Sequence, residues 1–374
     1  MLYEGTFNQS LCEGLCQVMS EKLGFNSEVS RLEDVSNFMN LSTKIPENDS
    51  NDTQEDRKKR HERAPFKLSL ANSLWKQNDI AFNENFANVL KDSYKSEARQ
   101  VNFRDDPTVT KVINQWIESK TNNRIKNMLS ELSRDTVLVL VNAIYFKADW
   151  MNQFKKDDTY KANFTTISKN NQENSITKKV DMMHMQSWAI YQKDSQGNLF
   201  VKLPYFSKDI ETKTEMVIML PNISPAGKLT DFDMDKIDQV KKILDFEDEK
   251  RELLKVKLSM PKFKFEWKME LKDMLKKIGL ERIYYPQKGD YFGICDGDLA
   301  VSKVIHQSFV AVDEKGTEAA AATAIIMTKS MMPMPLETMD IDIDRPFGFW
   351  IMHTKSKAIL FSGKVIEPLQ SEKN

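Results

Sequence analysis

Between Asp313 and Ala324 the chain reads Asp-Glu-Lys-Gly-Thr-Glu-Ala-Ala-Ala-Ala-Thr-Ala, directly after an apolar stretch from Val301 to Val312 with the composition of a strand. Alanine is the best helix former, so one reading is an Ala-rich helix. Thr317, Thr323, Ile325 and Ile326 weaken it, because β-branched side chains lose rotamer freedom in a helix. The other reading is a segment able to pass from exposed loop to buried strand. Such a segment needs small side chains at every second position, here Thr317, Ala319, Ala321 and Thr323. Gly316 then supplies a hinge, since glycine takes wide backbone changes at low steric cost.

Four further stretches stand in a fixed order around this one. Leu140-Val141-Asn142-Ala143-Ile144-Tyr145-Phe146-Lys147-Ala148-Asp149-Trp150 lies inside a run from Thr136 that is almost wholly apolar, as in a strand covered on both faces. Pro261-Lys262-Phe263, Asp344-Arg345-Pro346-Phe347 and Leu360-Phe361-Ser362-Gly363-Lys364-Val365 are the others, and Asp298 to His306 leads into the Ala-rich segment. Taken together these stretches resemble the landmarks of the serpins, the serine protease inhibitor family, from about Ala71 to Pro368.

The resemblance implies an α+β serpin fold with a large mixed sheet A, smaller sheets B and C, about eight helices and an exposed reactive-centre loop. It implies one domain over 1–368, with the reactive-centre loop at 316–344 and a tail at 369–374. The expected hinge is Glu314, Gly316, Thr317, Glu318, Ala319, Ala320, Ala321, Ala322 and Thr323. Asn142 and His306 match a pair that controls opening of the large sheet, and Trp150 and Lys262 match residues where the loop enters it, with Lys262 paired to Glu314. Counting sixteen residues from Glu314, as the family does, puts the reactive bond at Ser330-Met331, which suits an elastase-like protease. A loop one residue shorter gives Lys329-Ser330, which suits a trypsin-like one.

The implied activity is serine protease inhibition by a suicide substrate, not enzymatic turnover. The protease attacks the loop, forms an acyl-enzyme, and is carried along as the freed segment inserts as a strand. Fourteen residues from Thr317 span roughly 46 Å at about 3.3 Å each. The implied partner is a target serine protease in a covalent complex. The inhibitor itself is expected as a monomer able to form loop-sheet polymers, with no cofactor. The alternative is a non-inhibitory binding or storage protein of the same fold, or an inactive truncated product. That alternative arises because Met1-Leu2-Tyr3-Glu4-Gly5 resembles the end of the family's second helix, leaving roughly forty expected residues without a counterpart. Their loss would uncover several hundred Å² of apolar surface, on the order of 10 kcal/mol. Family resemblance points to an extracellular protein; no signal peptide is expected in this sequence, which makes the cytoplasm the alternative.

Composition sets outer bounds. With 374 residues, 40% hydrophobic, 29% charged and a formal net charge of −1, the chain is ordinary and globular, giving no reason to expect nucleic acid or an anionic membrane as its main partner. No apolar run reaches the length of a membrane span, so no transmembrane helix is expected. The three cysteines, Cys12, Cys16 and Cys295, offer no disulfide framework, and Cys12 and Cys16 read as small buried residues more readily than as metal ligands. Residues 44–64 read as a polar surface loop; its basic stretch Asp56-Arg57-Lys58-Lys59-Arg60-His61 is diluted by Glu47, Asp49, Asp52 and Glu55. Sequons occur at Asn8, Asn40, Asn48, Asn51, Asn163 and Asn222.

Two helices are expected from periodicity. One carries Ile113, Trp116 and Ile117 and continues to Ile125, Met128 and Leu129; the other carries Trp267, Leu271, Met274, Leu275 and Ile278 and stops at Gly279. Conventional active sites find no support. The four histidines are His61, His184, His306 and His353, and there is neither a Gly-x-Ser-x-Gly elbow nor a glycine-rich phosphate loop. The methionines Met331, Met332, Met334 and Met339 cluster, but an exposed loop would not fix the geometry of a copper site. No metal site is expected. His306 is structural on either reading, as a half-buried strand histidine or as the partner of Asn142.

Overall fold

Leu138–Asp149 forms strand β3 of the computed structural model, and its sequence explains why: LVLVNAIYFKAD is apolar on both faces, and Leu138, Val139, Val141, Ala143, Tyr145, Phe146 and Ala148 are each 0% exposed. The structure describes residues 67–368 apart from 93, 106–107, 169–170, 208–212, 223–251, 289, 296–298, 318–337 and 355–357. Outside the described residues lie Cys12, Cys16, the loop 44–64, the tail 369–374, hinge residues Glu318 to Thr323, and the expected reactive bonds at Lys329, Ser330 and Met331.

The described residues fall into two compact units. The first comprises Leu68–Tyr145 and Glu266–Phe309, the second Phe146–Phe265 and Val310 onward. The first holds most of β1 (Lys67–Gln77), β2 (Glu97–Val101), β3, β9 (Phe263–Glu270) and β10 (Lys303–Val312), in the order β2-β1-β3-β10-β9. β1 and β2 run parallel, from Ser73 opposite Glu97 to Gln77 opposite Val101. β3 and β10 are also parallel, from Val139 opposite Lys303 to Tyr145 opposite Phe309. Leu74, Phe86, Leu90, Leu138, Leu140, Tyr291 and Ile294 belong to a buried cluster of this unit.

The helices of this unit are α1 (Glu84–Asp92), α2 (Thr108–Lys120) and α3 (Lys272–Lys277). α2 buries Val109, Thr110, Ile113, Trp116 and Ile117, the expected stripe, but it ends at Lys120. Asn122 and Asn123 take φ of 54° and 57°, a left-handed pair that no helix continues through. Ile125, Met128 and Leu129 are buried all the same, as non-helical chain. The second expected helix also shortens. Trp267 belongs to β9, where Phe263, Phe265 and Trp267 alternate with lysine and glutamate at the strand period, and only Lys272–Lys277 is helical.

In the second unit eight strands form one sheet. They are β4 (Thr159–Ser168), β5 (Asn171–Lys193), β6 (Leu199–Pro204), β7 (Thr214–Leu220), β8 (Glu252–Pro261), β12 (Met339–Asp342), β13 (Phe347–His353) and β14 (Ile359–Val365), ordered β12-β8-β5-β6-β7-β13-β14 with β4 on β5. The two smaller sheets implied by the resemblance are joined here because β5, 23 residues long, pairs with β4, β8 and β6 along its length. β13 is buried at every position. Its Phe349 explains Gly363 opposite: a Cβ there would meet Phe349 Cε1 at 2.5 Å and Cζ at 2.8 Å. Burying an aromatic side chain of this kind contributes about 1.5–3 kcal/mol.

Candidate functional site

The turn between β10 and its return strand is built by Asp313. Its Oδ1 accepts the backbone N–H of Lys315 at 2.9 Å and of Gly316 at 3.3 Å, as aspartate does at the start of tight turns. Asp313 N donates to Gly316 O at 2.9 Å, and the chain reverses into a two-residue strand, β11 (Gly316–Thr317). Burial pushes the Asp313 carboxyl above its ordinary range, with the two turn N–H groups pulling the other way.

β11 lies between the ends of β3 and β10. Gly316 is opposite Asp149 and Thr317 opposite Ala148, both antiparallel; Thr317 also pairs with Val312. The expected loop residue Thr317 is thus strand, and it is 0% exposed. Gly316 is required for a different reason from the one its sequence suggests. Its φ is not positive; a Cβ would sit 2.1 Å from Ala148 O and 2.6 Å from Asp149 Cα, both backbone atoms of β3.

Tyr205 holds the strand from below. Its hydroxyl and that of Thr317 are 2.7 Å apart, and its ring stacks on Trp150 with centroids 4.5 Å apart and planes 8° from parallel. Trp150 in turn donates from Nε1 to Asp313 O at 3.0 Å and from its backbone N to Lys315 O at 2.7 Å. The Tyr205 phenol is pushed far above its usual range by burial, the Thr317 hydroxyl opposing, so it is a neutral hydrogen-bonding group. The sequence reading missed Tyr205. Its one signal is a polar-tipped aromatic at the end of the run Leu199 to Phe206, where a buried phenol needs a partner.

Lys262 and Glu314 do meet. Lys262 Nζ lies 3.1 Å and 3.0 Å from the two carboxylate oxygens, with the glutamate side chain 7% exposed and the lysine 32%. Burial raises the Glu314 carboxyl, but a hydrogen bond from its own backbone and the hydrogen bonds and charge of Lys262 outweigh it, and the net position is below the usual carboxylate range. Phe154 N donates to Glu314 O at 2.8 Å, anchoring the same residue through its backbone. Trp150, Lys262, Glu314, Gly316 and Thr317 are therefore brought together in the second unit, around β11.

Asn142 and His306 face one another in the first unit, register partners on β3 and β10. His306 Nδ1 donates to Asn142 Oδ1, and Asn142 Nδ2 donates to Asn72 Oδ1 on β1. Three strands are thus tied by one polar row. Burial holds the His306 imidazole below its ordinary value. Asn72 was not singled out in the sequence. Among the described residues no group of three or more His, Cys, Asp or Glu is arranged to hold a metal ion, and no helix is long and apolar enough to cross a membrane.

The profile of one protein family, described as "Serpin (serine protease inhibitor)", matches residues 15–368. An uncharacterised serpin-like protein of Thermococcus kodakarensis is 34% identical over 311 residues, covering 82% of this chain and 68% of that protein. Serpin B6 of Macaca fascicularis is 35% identical over 311 residues, covering 81% and 77%. Among solved structures, human thyroxine-binding globulin in complex with thyroxine superposes with a TM-score of 0.75 at 24% identity, covering 99% of this chain and 88% of that one, a likeness of fold alone.

Proposed function

Since the chain belongs to the serpin family of serine protease inhibitors, we propose that it traps a serine protease as a suicide substrate, by inserting its own cleaved loop between β3 and β10. The observation that carries this reading is β11. Two loop residues already occupy the slot, on a glycine that fits against β3 where no side chain can and a threonine that reaches the core.

Register supports the reading further. Continued one residue at a time, the pairing of Gly316 with Asp149 and Thr317 with Ala148 sets position 327 opposite Leu138, the first residue of β3. Ser330 then falls just past the strand's far end, where a protease bound through it would be clear of the sheet. Thr317 points to the core, so positions 319, 321 and 323 would follow it inward, and the sequence has Ala319, Ala321 and Thr323 there. The opposite face would carry Glu318, Ala320 and Ala322. In this account Glu314 with Lys262 and Trp150 steadies the point of entry, and Asn142 with His306 keeps the slot shut until the loop is cut.

The bond attacked is Ser330-Met331 for an elastase-like protease or Lys329-Ser330 for a trypsin-like one. Incubation with trypsin and with pancreatic elastase should yield a complex that survives boiling in detergent, with a small fragment starting at Met331 or Ser330. Clean cleavage of the loop with no complex, combined with no gain in heat resistance after the cut, would instead identify a non-inhibitory member of the family.

A further inference from the structure

Lys76, at the end of β1, is 0% exposed, and among the described residues its Nζ has no hydrogen-bond partner. Buried ammonium groups without a partner are rare because their desolvation is costly. It lies over the face of Phe82, whose ring centroid is 4.6 Å from Nζ. Phe82 packs against the buried cluster that contains Cys295, itself 1% exposed. The backbone joins the same two places: Asn83 N donates to Ile294 O at 2.8 Å, and Cys295 N donates to Tyr291 O at 3.2 Å. The Asn83–Ile294 bond and the packing of Phe82 against this cluster bring Lys76, over the Phe82 ring, into the same neighbourhood as Cys295.

Burial lowers the Lys76 ammonium below its ordinary range, while its two charged influences, Cys295 first and Asp79 second, act against that. A lysine so placed spends more of its time as a free amine than an exposed one. A free amine in the neighbourhood of a thiol has a defined chemistry under oxidation.

We propose that Lys76 and Cys295 are a modification site, joined by peroxide into a lysine sulfenamide that staples β1 to the segment leading into β10. In the first step hydrogen peroxide oxidises the Cys295 thiol to a sulfenic acid, one oxygen passing to sulfur and one water leaving. In the second the Lys76 nitrogen attacks that sulfur. An N–S bond forms, the S–O bond breaks, and the hydroxyl leaves as a second water with a proton from nitrogen. One peroxide is consumed and the protein loses two hydrogens. A thiol reductant reverses the bond by attacking sulfur and returning amine and thiol. Peroxide is small and uncharged and reaches a buried thiol through the local openings that folds undergo.

The staple matters because of what lies between its ends. β3 sits between β1 and β10, and insertion must part β3 from β10 along the ladder from Val139–Lys303 to Tyr145–Phe309. A covalent tie from β1 to the chain entering β10 opposes that separation. Oxidation would turn the inhibitor off, and reduction would restore it. This consequence rests on the inhibitory reading, whereas the bond itself does not.

The test uses the full chain, reduced, then exposed to hydrogen peroxide, digested and analysed by mass spectrometry. The expected product is a peptide pair joined through Lys76 and Cys295, about 2 Da lighter than the sum of its parts, and separated again by dithiothreitol. Hydrogen exchange on the same sample, with no protease present, should show amides of β3 and β10 slowed about tenfold by oxidation and restored by reduction. Lys76→Arg should abolish the joined pair and let Cys295 run on to sulfinic acid. The proposal is overturned if Cys295 of the natural chain is recovered as thiol, as sulfinic or sulfonic acid, or in a disulfide with Cys12 or Cys16, with Lys76 unmodified. Unchanged exchange in a chain that is stapled overturns the locking role.

Discussion

Gly316→Ala isolates the close approach of β11 to β3. The added methyl carbon would start 2.1 Å from Ala148 O, 2.6 Å from Asp149 Cα and 3.0 Å from Ala148 C. Carbon atoms rest about 3.5–4.0 Å apart, so relief needs a displacement of about 1 Å. No rotamer change can supply it, because all three atoms are backbone. β3 cannot recede either: Ala148 is 0% and Asp149 5% exposed. Overpacking of this kind costs about 1–3 kcal/mol. Against it stand the Thr317–Tyr205 hydrogen bond and the few backbone bonds of a two-residue strand, each contributing about 1 kcal/mol. The two sides nearly balance, so the variant should release β11 while leaving the rest of the fold in place. Thr317 and its neighbours should lose hydrogen-exchange protection, Trp150 emission should change as its stack on Tyr205 loosens, and the unfolding temperature should fall by about 2–6 °C. A variant with Thr317 still protected and an unfolding temperature within a degree of the natural chain would refute the steric argument.

Thr317→Arg places a cation where a hydroxyl is now fully buried, at several kcal/mol, and should yield cleaved inhibitor instead of protease complex; undiminished complex formation would show that Thr317 need not enter the sheet. Glu314→Lys replaces a 3.0 Å ion pair by a like-charge contact and should promote loop-sheet polymers on mild heating, visible on native gels, with Lys262→Glu in the same chain partly reversing it. His306 gives a pH dependence. Its folded pKa is held below the unfolded value of about 6.5, so its neutral form contributes stability that is complete above that pH and is lost as pH falls through the folded value. Urea midpoints measured from pH 7.5 to 5 should fall more steeply for the natural chain than for His306→Gln, and parallel curves would remove the histidine from the account.

Much of the frame was legible in the sequence because it rests on periodicity and burial. β3 announces itself through a doubly apolar run, and the stripe Ile113, Trp116, Ile117 through its spacing. Where the reading overran, the cause is local. Asn122 and Asn123 adopt a left-handed conformation that a count of apolar positions does not register, and Trp267 is four residues before Leu271 by coincidence with a strand whose own period is two. The Lys262–Glu314 pair followed from resemblance and geometry agrees with it. Tyr205 and Asn72 escaped because the hydrogen bonds that matter here reach residues far away in sequence, Thr317 and Asn142, with no pattern around either. Gly316 was named for its flexibility, yet its visible role is to leave room, and only the distance to Ala148 O reveals that.

The orientation of β11 has a consequence for which way the molecule runs. β3 and β10 are parallel to each other, while β11 is antiparallel to both. Each residue by which β11 lengthens unzips one rung of a parallel ladder and closes one rung on either side of itself. The exchange is one for two, and the rungs gained are of the slightly more stable antiparallel kind. On the proposed mechanism, the uncut loop is what keeps the count from advancing. On that mechanism the chain is a zipper with its slider already two teeth in, and cutting the loop beyond the hinge would remove the stop.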